Sequence, residues 1–345
     1  MVEGSVTLSG ALTTAASSIL RVQGINTFGA GSLTVSSGFT NNGTIELTEL
    51  IAGYGASLTV TMGTLVNASG ALISPLQGFG GGRTLAAQID NQSTITIGDT
   101  QGLTLARAGA VSTNSGTIAI TAGSLTLNQT GTTPSFTSTG TVAISGGLFW
   151  TVNGGGLNLS GGTTNGAGVL ALNGVNVAFT TAAVTTPFQF SAATTVVGGI
   201  VTIPSGHTMT IVGGVLAAPV TNQGLLVIEG GVTLSGTLTT TAGSILRMQG
   251  INTYGAGSLS VVSGFTNLGT IELTELVAEY GASLAVTTGT LVNAPGSVIS
   301  PLAGFGGPRT LAAQIDNQST ITIGDAQGLT LGRAGLSART AARSR

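Results

Sequence analysis

The chain has 345 residues, 57 of them Gly, with no Cys, no Lys, nine Arg, eleven carboxylates and one His. A net charge of −2 with only 6% charged residues excludes electrostatic capture of nucleic acid or anionic lipid. The missing Cys excludes a disulfide framework and thiolate metal sites, and no apolar run approaches the roughly 18 residues of a membrane helix.

From the N-terminus onward the chain is punctuated by short alternating segments. "GSLTV" (31–35) and "FTNNGTIELT" (39–48) are followed by "ASLTV" (56–60), "LVNASGALIS" (65–74) and "IDNQSTITIG" (89–98). Then come "QGLTL" (101–105), "VSTNSGTIAI" (111–120), "GSLTL" (123–127), "GGLNL" (155–159) and "VTNQGLLVIE" (220–229). Within each, apolar residues recur at every second position, the period of a strand, and the β-branched content agrees. Gly interrupts every candidate helix. The regular apolar spacing also argues against disorder, since disordered chains lack the apolar area to offset ordering entropy.

The asparagines at 41, 67, 91 and 114 are 26, 24 and 23 residues apart. A period of this size indicates a solenoid; a propeller wants units of roughly 40 to 50 residues. A single coil of two or three short strands cannot bury its own apolar face, whereas stacked coils pair strand on strand at about 4.8 Å. The fold expected is therefore all-β, a parallel β-helix, right-handed by the crossover rule. At roughly 25 residues per coil, about 14 coils fit, a rod on the order of 65 Å long. Asn41, Asn67, Asn91, Asn114, Asn222, Asn267, Asn293 and Asn317 are assigned to bends where they stack as a hydrogen-bonded ladder. Exposed turns are the alternative for some of them.

A longer repeat overlies the short one. Residues 2–109 recur at 228–335, offset by 226, with 21 of 108 positions changed. Between the copies, residues 110–227 carry no Asp, Glu or Arg. One continuous solenoid over 1–335 is expected, made of two near-identical copies and uncharged intervening coils. Both termini read as arbitrary cuts in a longer array. Met1 aligns with Val227 in mid-strand, and "MVEGSVTLSG" has no charged n-region or apolar h-region of a signal peptide. At the other end, "LSARTAARSR" (336–345) replaces "AVSTNSGTIA" (110–119) of the first copy. The codons GCT GTC AGC ACG AAC AGC GGC ACG ATC GCG encode the latter, and read from their second base they encode the tail. Residues 336–345 are thus expected to be a frameshifted, non-native stretch; a basic interaction tail is the competing reading.

Ten of the eleven carboxylates form duplicated pairs: Glu3/Glu229, Glu46/Glu272, Glu49/Glu275, Asp90/Asp316 and Asp99/Asp325. Surface charge kept for solubility is the simplest account of them. Glu46 and Glu49 are three apart on a strand-like segment, so they point to opposite faces and make a poor acid/base pair. On this reading, replacing both by Gln leaves folding intact. "GFGGGRT" (78–84), recurring as "GFGGPRT" (304–310), lacks the Lys and following helix of a phosphate loop. It reads as a protruding loop with Arg83, and Arg309 in the second copy, placed for ligand contact at its base. His207, the only His, excludes His-based metal sites and triads, and the Asp-rich repeats of calcium-binding nonapeptides are missing. No metal and no cofactor is expected. Trp150 reads as core or a coil-edge anchor.

The "TNNGTI" (40–45), "TNLGTI" (266–271) and "GSLTV" rhythm resembles the passenger regions of autotransporter and haemagglutinin-like adhesins and the repeat-rich surface proteins of Gram-negative and environmental bacteria. The resemblance covers almost the whole chain. It implies a rod on the extracellular side or outer cell surface that spaces or displays adhesive regions. Its partners would be surface glycans or neighbouring repeats of the same array, with end-to-end self-association at exposed strand edges. The family's barrel, secretion signal and anchor are expected elsewhere in a longer chain. The function expected is therefore a non-catalytic structural or adhesive rod segment. A β-helical polysaccharide lyase or hydrolase is the alternative, and binding of ice or crystalline polysaccharide through rows of Thr is a third reading.

Overall fold

The structure is a computed structural model that describes residues 1–51, 53–191, 193–277, 279–323 and 328–332, and the backbone of 339–340. Most of the 336–345 tail, together with Asp325 and Arg333, lies outside the described residues. Every pairing between described strands is parallel, and no helix occurs among the described residues. The chain divides into two compact units, 1–186 and 187–345. Each is a parallel β-solenoid, with about 13 turns between them. Turn length is not constant: equivalent positions are 18 residues apart at Asn222 and Thr240 and 20 at Val152 and Leu172. In the first unit Thr14 and Asn41, equivalent positions on adjacent turns, are 27 residues apart, and the next interval is 26.

Three sheets enclose the core of the first unit. The first is eight-stranded and runs from Val2–Glu3 through Ile19–Gly24, Thr44–Glu49, Leu72–Pro75, Thr94–Ile97, Thr117–Ile120 and Thr141–Ile144 to Thr163–Asn165. The second stacks Ser5–Leu8, Gly31–Val35, residues 56–60, residues 83–86, Leu103–Ala106, Leu125–Asn128, Phe149–Asn153 and Val169–Asn173. The third stacks Phe39–Asn41, residues 65–67 and 89–91, Val111–Asn114, Ser135–Ser138, Gly156–Asn158 and Asn176–Ala178. The 12-residue strand Ala56–Asn67 serves the second and third sheets in turn, with residues 61–63 exposed at the corner between them.

The register turns strand alternation into columns. Ile45, Ile73, Ile95, Ile118 and Val142 lie one above another in the first sheet; Leu33, Leu58, Leu85, Leu105, Leu127 and Val152 do so in the second. All are buried. Phe136 and Trp150 meet edge to face at 5.8 Å, so the Trp is core. The second unit repeats the plan, with Val201–Ile203, Val220–Asn222 and Leu238–Thr240 opening its own third sheet.

The duplication supplies an internal comparison at tight turns. Gly53 adopts φ +95°, and its counterpart Glu279 is held at φ +85°. Conversely, Ser17 sits at φ +67° where the second copy has Gly243 at +80°. An L-residue there costs about 1–2 kcal/mol, partly offset by the about 0.4–1 kcal/mol of unfolded-state entropy that Gly adds. Glu279→Gly is therefore expected to stabilise the protein by up to about 1 kcal/mol, seen as a higher urea midpoint by circular dichroism; a lower midpoint would show that the Glu side chain contributes more than its strain costs.

Candidate functional site

The bend asparagines form two columns, one in each unit. In the first unit Asn41 Nδ2 donates to Asn67 Oδ1 (2.9 Å), Asn67 to Asn91 (2.7 Å) and Asn91 to Asn114 (2.7 Å). Thr14 Oγ1 donates into the column at Asn41 Oδ1, and Ser138 Oγ accepts from Asn114 at the other end. Each Asn also donates to a backbone carbonyl of the following turn: Leu72, Thr94, Thr117 and Thr141. In the second unit Asn267 donates to Asn293 (2.9 Å) and Asn293 to Asn317 (2.7 Å). Asn222 stands apart from these, because Thr240 occupies the same position one turn later; its amide bonds Ile245 O instead. A further amide stack went unnoticed in sequence. Asn153 Nδ2 donates to Asn128 Oδ1 (2.8 Å) and Asn173 Nδ2 to Asn153 Oδ1 (2.9 Å), each Asn closing a strand of the second sheet.

The "GFGGGRT" loop is organised differently from the expectation. Arg83 is 1% exposed and occupies an inward column whose neighbours are Ala56 and, further along, Leu125, Trp150 and Leu170. A guanidinium there is tolerable only if it is paired and fully hydrogen-bonded. Arg83 pairs with Glu49 and with Asp99 (Nη2–Oδ2 3.0 Å), and donates to the carbonyls of Leu47, Leu76 and Gly81. Glu49 in turn accepts the amides of Phe79 and Gly80, which fixes the loop. Arg309 repeats this with Glu275, whose carboxylate accepts the amides of Phe305, Gly306 and Gly307. Arg83 and Arg309 therefore hold the loops from inside and present no charge to a ligand. The surface-charge reading of Glu49, Asp99 and Glu275 is corrected for the same reason: all three are buried.

Burial alone would raise the Glu275 carboxyl, but the Gly306 and Gly307 amides and Arg309 outweigh it, so its pKa lies below the ordinary 4.5. Its contribution to stability is present above that value and lost as the pH falls through the lowered one. Pro308 replaces Gly82 without conflict, since a Cβ at Gly82 meets nothing within 4 Å.

Glu46 does point away from Glu49. It pairs with Arg21 of the adjacent strand at 2.6 Å, as Glu272 does with Arg247 at 2.7 Å. Gln23 and Gln249 donate to Glu3 and Glu229. Burial raises the pKa of Glu229, the Gln249 bond opposing it in part. Asp90 accepts from Thr113 and Gln92. Arg107 reaches two turns back to the carbonyls of Thr61 and Gly63. His207 is exposed in a turn. Among the described residues no three His, Asp or Glu side chains gather as a metal site.

The corner between the first and second sheets is where apolar side chains meet solvent. Phe28, Leu50, Ile51 and Phe79 are exposed on three successive turns, Phe79 by 70%. Tyr54 lies along Gly24 and Gly29 of the preceding turn. In the second unit Leu276, Val277 and Phe305 are exposed at the same corner, and Tyr280 lies along Gly250 and Gly255. Immediately after this corner, the outward positions of the second sheet form a column of Ser5, Ser32, Ser57, Thr84, Thr104, Thr126 and Thr151. Ser57 donates to Ser32 (3.2 Å), and Ser283 to Ser258 (2.9 Å) in the second unit.

No protein-family model matches the chain, and no curated protein or solved structure is similar to it.

Two contrasts test this geometry, both read from Trp150, the only Trp. Asn91→Ala orphans Asn114 Oδ1 and removes a bond from Asn67, so it should cost on the order of 2 kcal/mol or more. Thr137→Ala, outward and two strands along in the same sheet, should stay within about 0.5 kcal/mol. Equal urea midpoints for the two would contradict a stabilising column. In the second contrast, Glu49→Gln should cost about 1.5–3 kcal/mol and Glu46→Gln less than about 1 kcal/mol. This replaces the expectation that the double change is silent; an unaffected Glu49→Gln variant would restore it.

Proposed function

We propose that the chain is a non-catalytic structural and adhesive segment of a large secreted or cell-surface repeat protein of bacterial type. The observation that carries this reading is the engagement of its carboxylates. Glu46, Glu49, Asp99, Glu272 and Glu275 are bound to Arg, while Glu3, Asp90 and Glu229 are held by Gln or Thr. Glycosidic cleavage needs two carboxylates facing one bond, roughly 5 to 10 Å apart across a cleft. Here the acidic groups tie strands, turns and loops together, and the two pairs only three residues apart, Glu46/Glu49 and Glu272/Glu275, each lie on opposite sides of one strand. A stack of turns with parallel ladders is suited to carry surface features at fixed spacing.

The polysaccharide lyase or hydrolase reading is tested directly. The unmutated chain is incubated with pectin-type and alginate-type polymers, and new reducing ends and ultraviolet absorbance from unsaturated sugars are followed. No release above a heat-denatured control is expected. Sustained turnover by the purified chain would overturn the non-catalytic reading.

A further inference from the structure

We infer that the corner between the first and second sheets, together with the hydroxyl column beside it, is a binding strip for a neutral, extended polysaccharide chain. The inference rests on the adhesive reading above and names its ligand chemistry.

Three features converge on one strip. First, aromatic rings occupy the corner in three successive turns: Phe28, Tyr54 and Phe79, with Tyr254, Tyr280 and Phe305 at the same positions of the second copy. Phe28, Phe79 and Phe305 are each more than 60% exposed. Phe28 and Phe79 stand in water two turns apart, with half-buried Tyr54 and exposed Leu50 and Ile51 on the turn between them, the kind of apolar patch that marks an interaction surface. Second, each ring is followed within the same turn by outward hydroxyls: Ser32 after Phe28, Ser57 after Tyr54 and Thr84 after Phe79. Third, no outward position of the second sheet in the first unit is charged. The cation within that sheet, Arg83, is turned inward and paired.

The chemistry selects among partners. A pyranose has an apolar face of C–H groups and an equatorial rim of hydroxyls that both donate and accept. Rings supply the surface for the first and Ser and Thr hydroxyls the partners for the second. The turn spacing of about 4.8 Å is close to the length of one sugar residue in an extended β-linked chain, so such a chain lying along the strip meets one ring-and-hydroxyl unit per residue. An anionic polymer would find no cation on the strip. Ice is disfavoured because the outward Asn128, Asn153 and Asn173 end the sheet in amides rather than a uniform row of methyl-bearing Thr.

The test is retention of the full chain on microcrystalline cellulose, compared with a variant carrying Phe28→Ser, Phe79→Ser and Phe305→Ser. These rings are exposed, so Trp150 emission and circular dichroism should be unchanged. Retention of the unmutated chain, with at least tenfold weaker retention of the variant, is the expected result. Equal retention of both, or thermal hysteresis of freezing without retention on cellulose, overturns the strip. If the unmutated chain neither binds nor cuts cellulose, the strip is overturned and the non-catalytic structural reading stands. If it releases soluble sugar, that reading falls instead.

Discussion

Parallel, in-register stacking is the constraint on which the rest of this protein depends. Each turn places its inward side chains directly over the same positions of the turn before, about 4.8 Å away. An inward position must therefore tolerate its own kind as a neighbour. Ile on Ile and Leu on Leu satisfy this by packing, and Asn satisfies it because an amide is both donor and acceptor. A column of one charge cannot. Where charge enters the core, it enters as Arg83 set against Glu49 and Asp99, three residues from three different turns.

Much of this was legible in the sequence. Two-residue alternation gave the strands, and the recurring Asn gave the turn length, because both follow from the pleat and the stack. Arg83 was misread as a loop residue because the Gly run before it looked like the end of order. Parity contained the answer. Leu85, Ala87 and Ile89 face inward, so Arg83 on the same phase must as well. Glu49 follows Ile45 and Leu47, and Asp99 follows Ile95 and Ile97, again in phase. What sequence could not supply is which inward charges meet, since residues 49, 83 and 99 are joined only by the register of successive turns. The corner aromatics Phe28, Tyr54 and Phe79 also recur at the turn period, 26 and 25 residues apart, but their gathering at one solvent-facing corner follows only from the stack.

The two copies show which positions the stack leaves free. Most of the 21 changes fall on outward or turn positions. Val22 and Met248 exchange one buried apolar side chain for another. Ala71 becomes Ser297, a polar atom placed in the core, and its hydroxyl finds Asn293 Oδ1 at 2.7 Å and Ala294 O at 2.6 Å. The amide column thus accommodates a new hydroxyl that an aliphatic column would leave unsatisfied.

That column also has a direction. From Asn41 to Asn114 every Nδ2 points toward the later turn and every Oδ1 toward the earlier one, and Asn267, Asn293 and Asn317 repeat the sense. The amide dipoles therefore add head to tail along the stack, each bond polarising the next. The two ends differ: the first exposes an acceptor and the last a donor. Hydroxyls close both, Thr14 by donating and Ser138 by accepting, because a hydroxyl serves in either role. Within a column a single flipped amide would set donor against donor on one side and acceptor against acceptor on the other, so each amide is held in the sense of its neighbours. The sense belongs to the column and not to the chain direction: through Asn128, Asn153 and Asn173 the Nδ2 groups point toward the earlier turn.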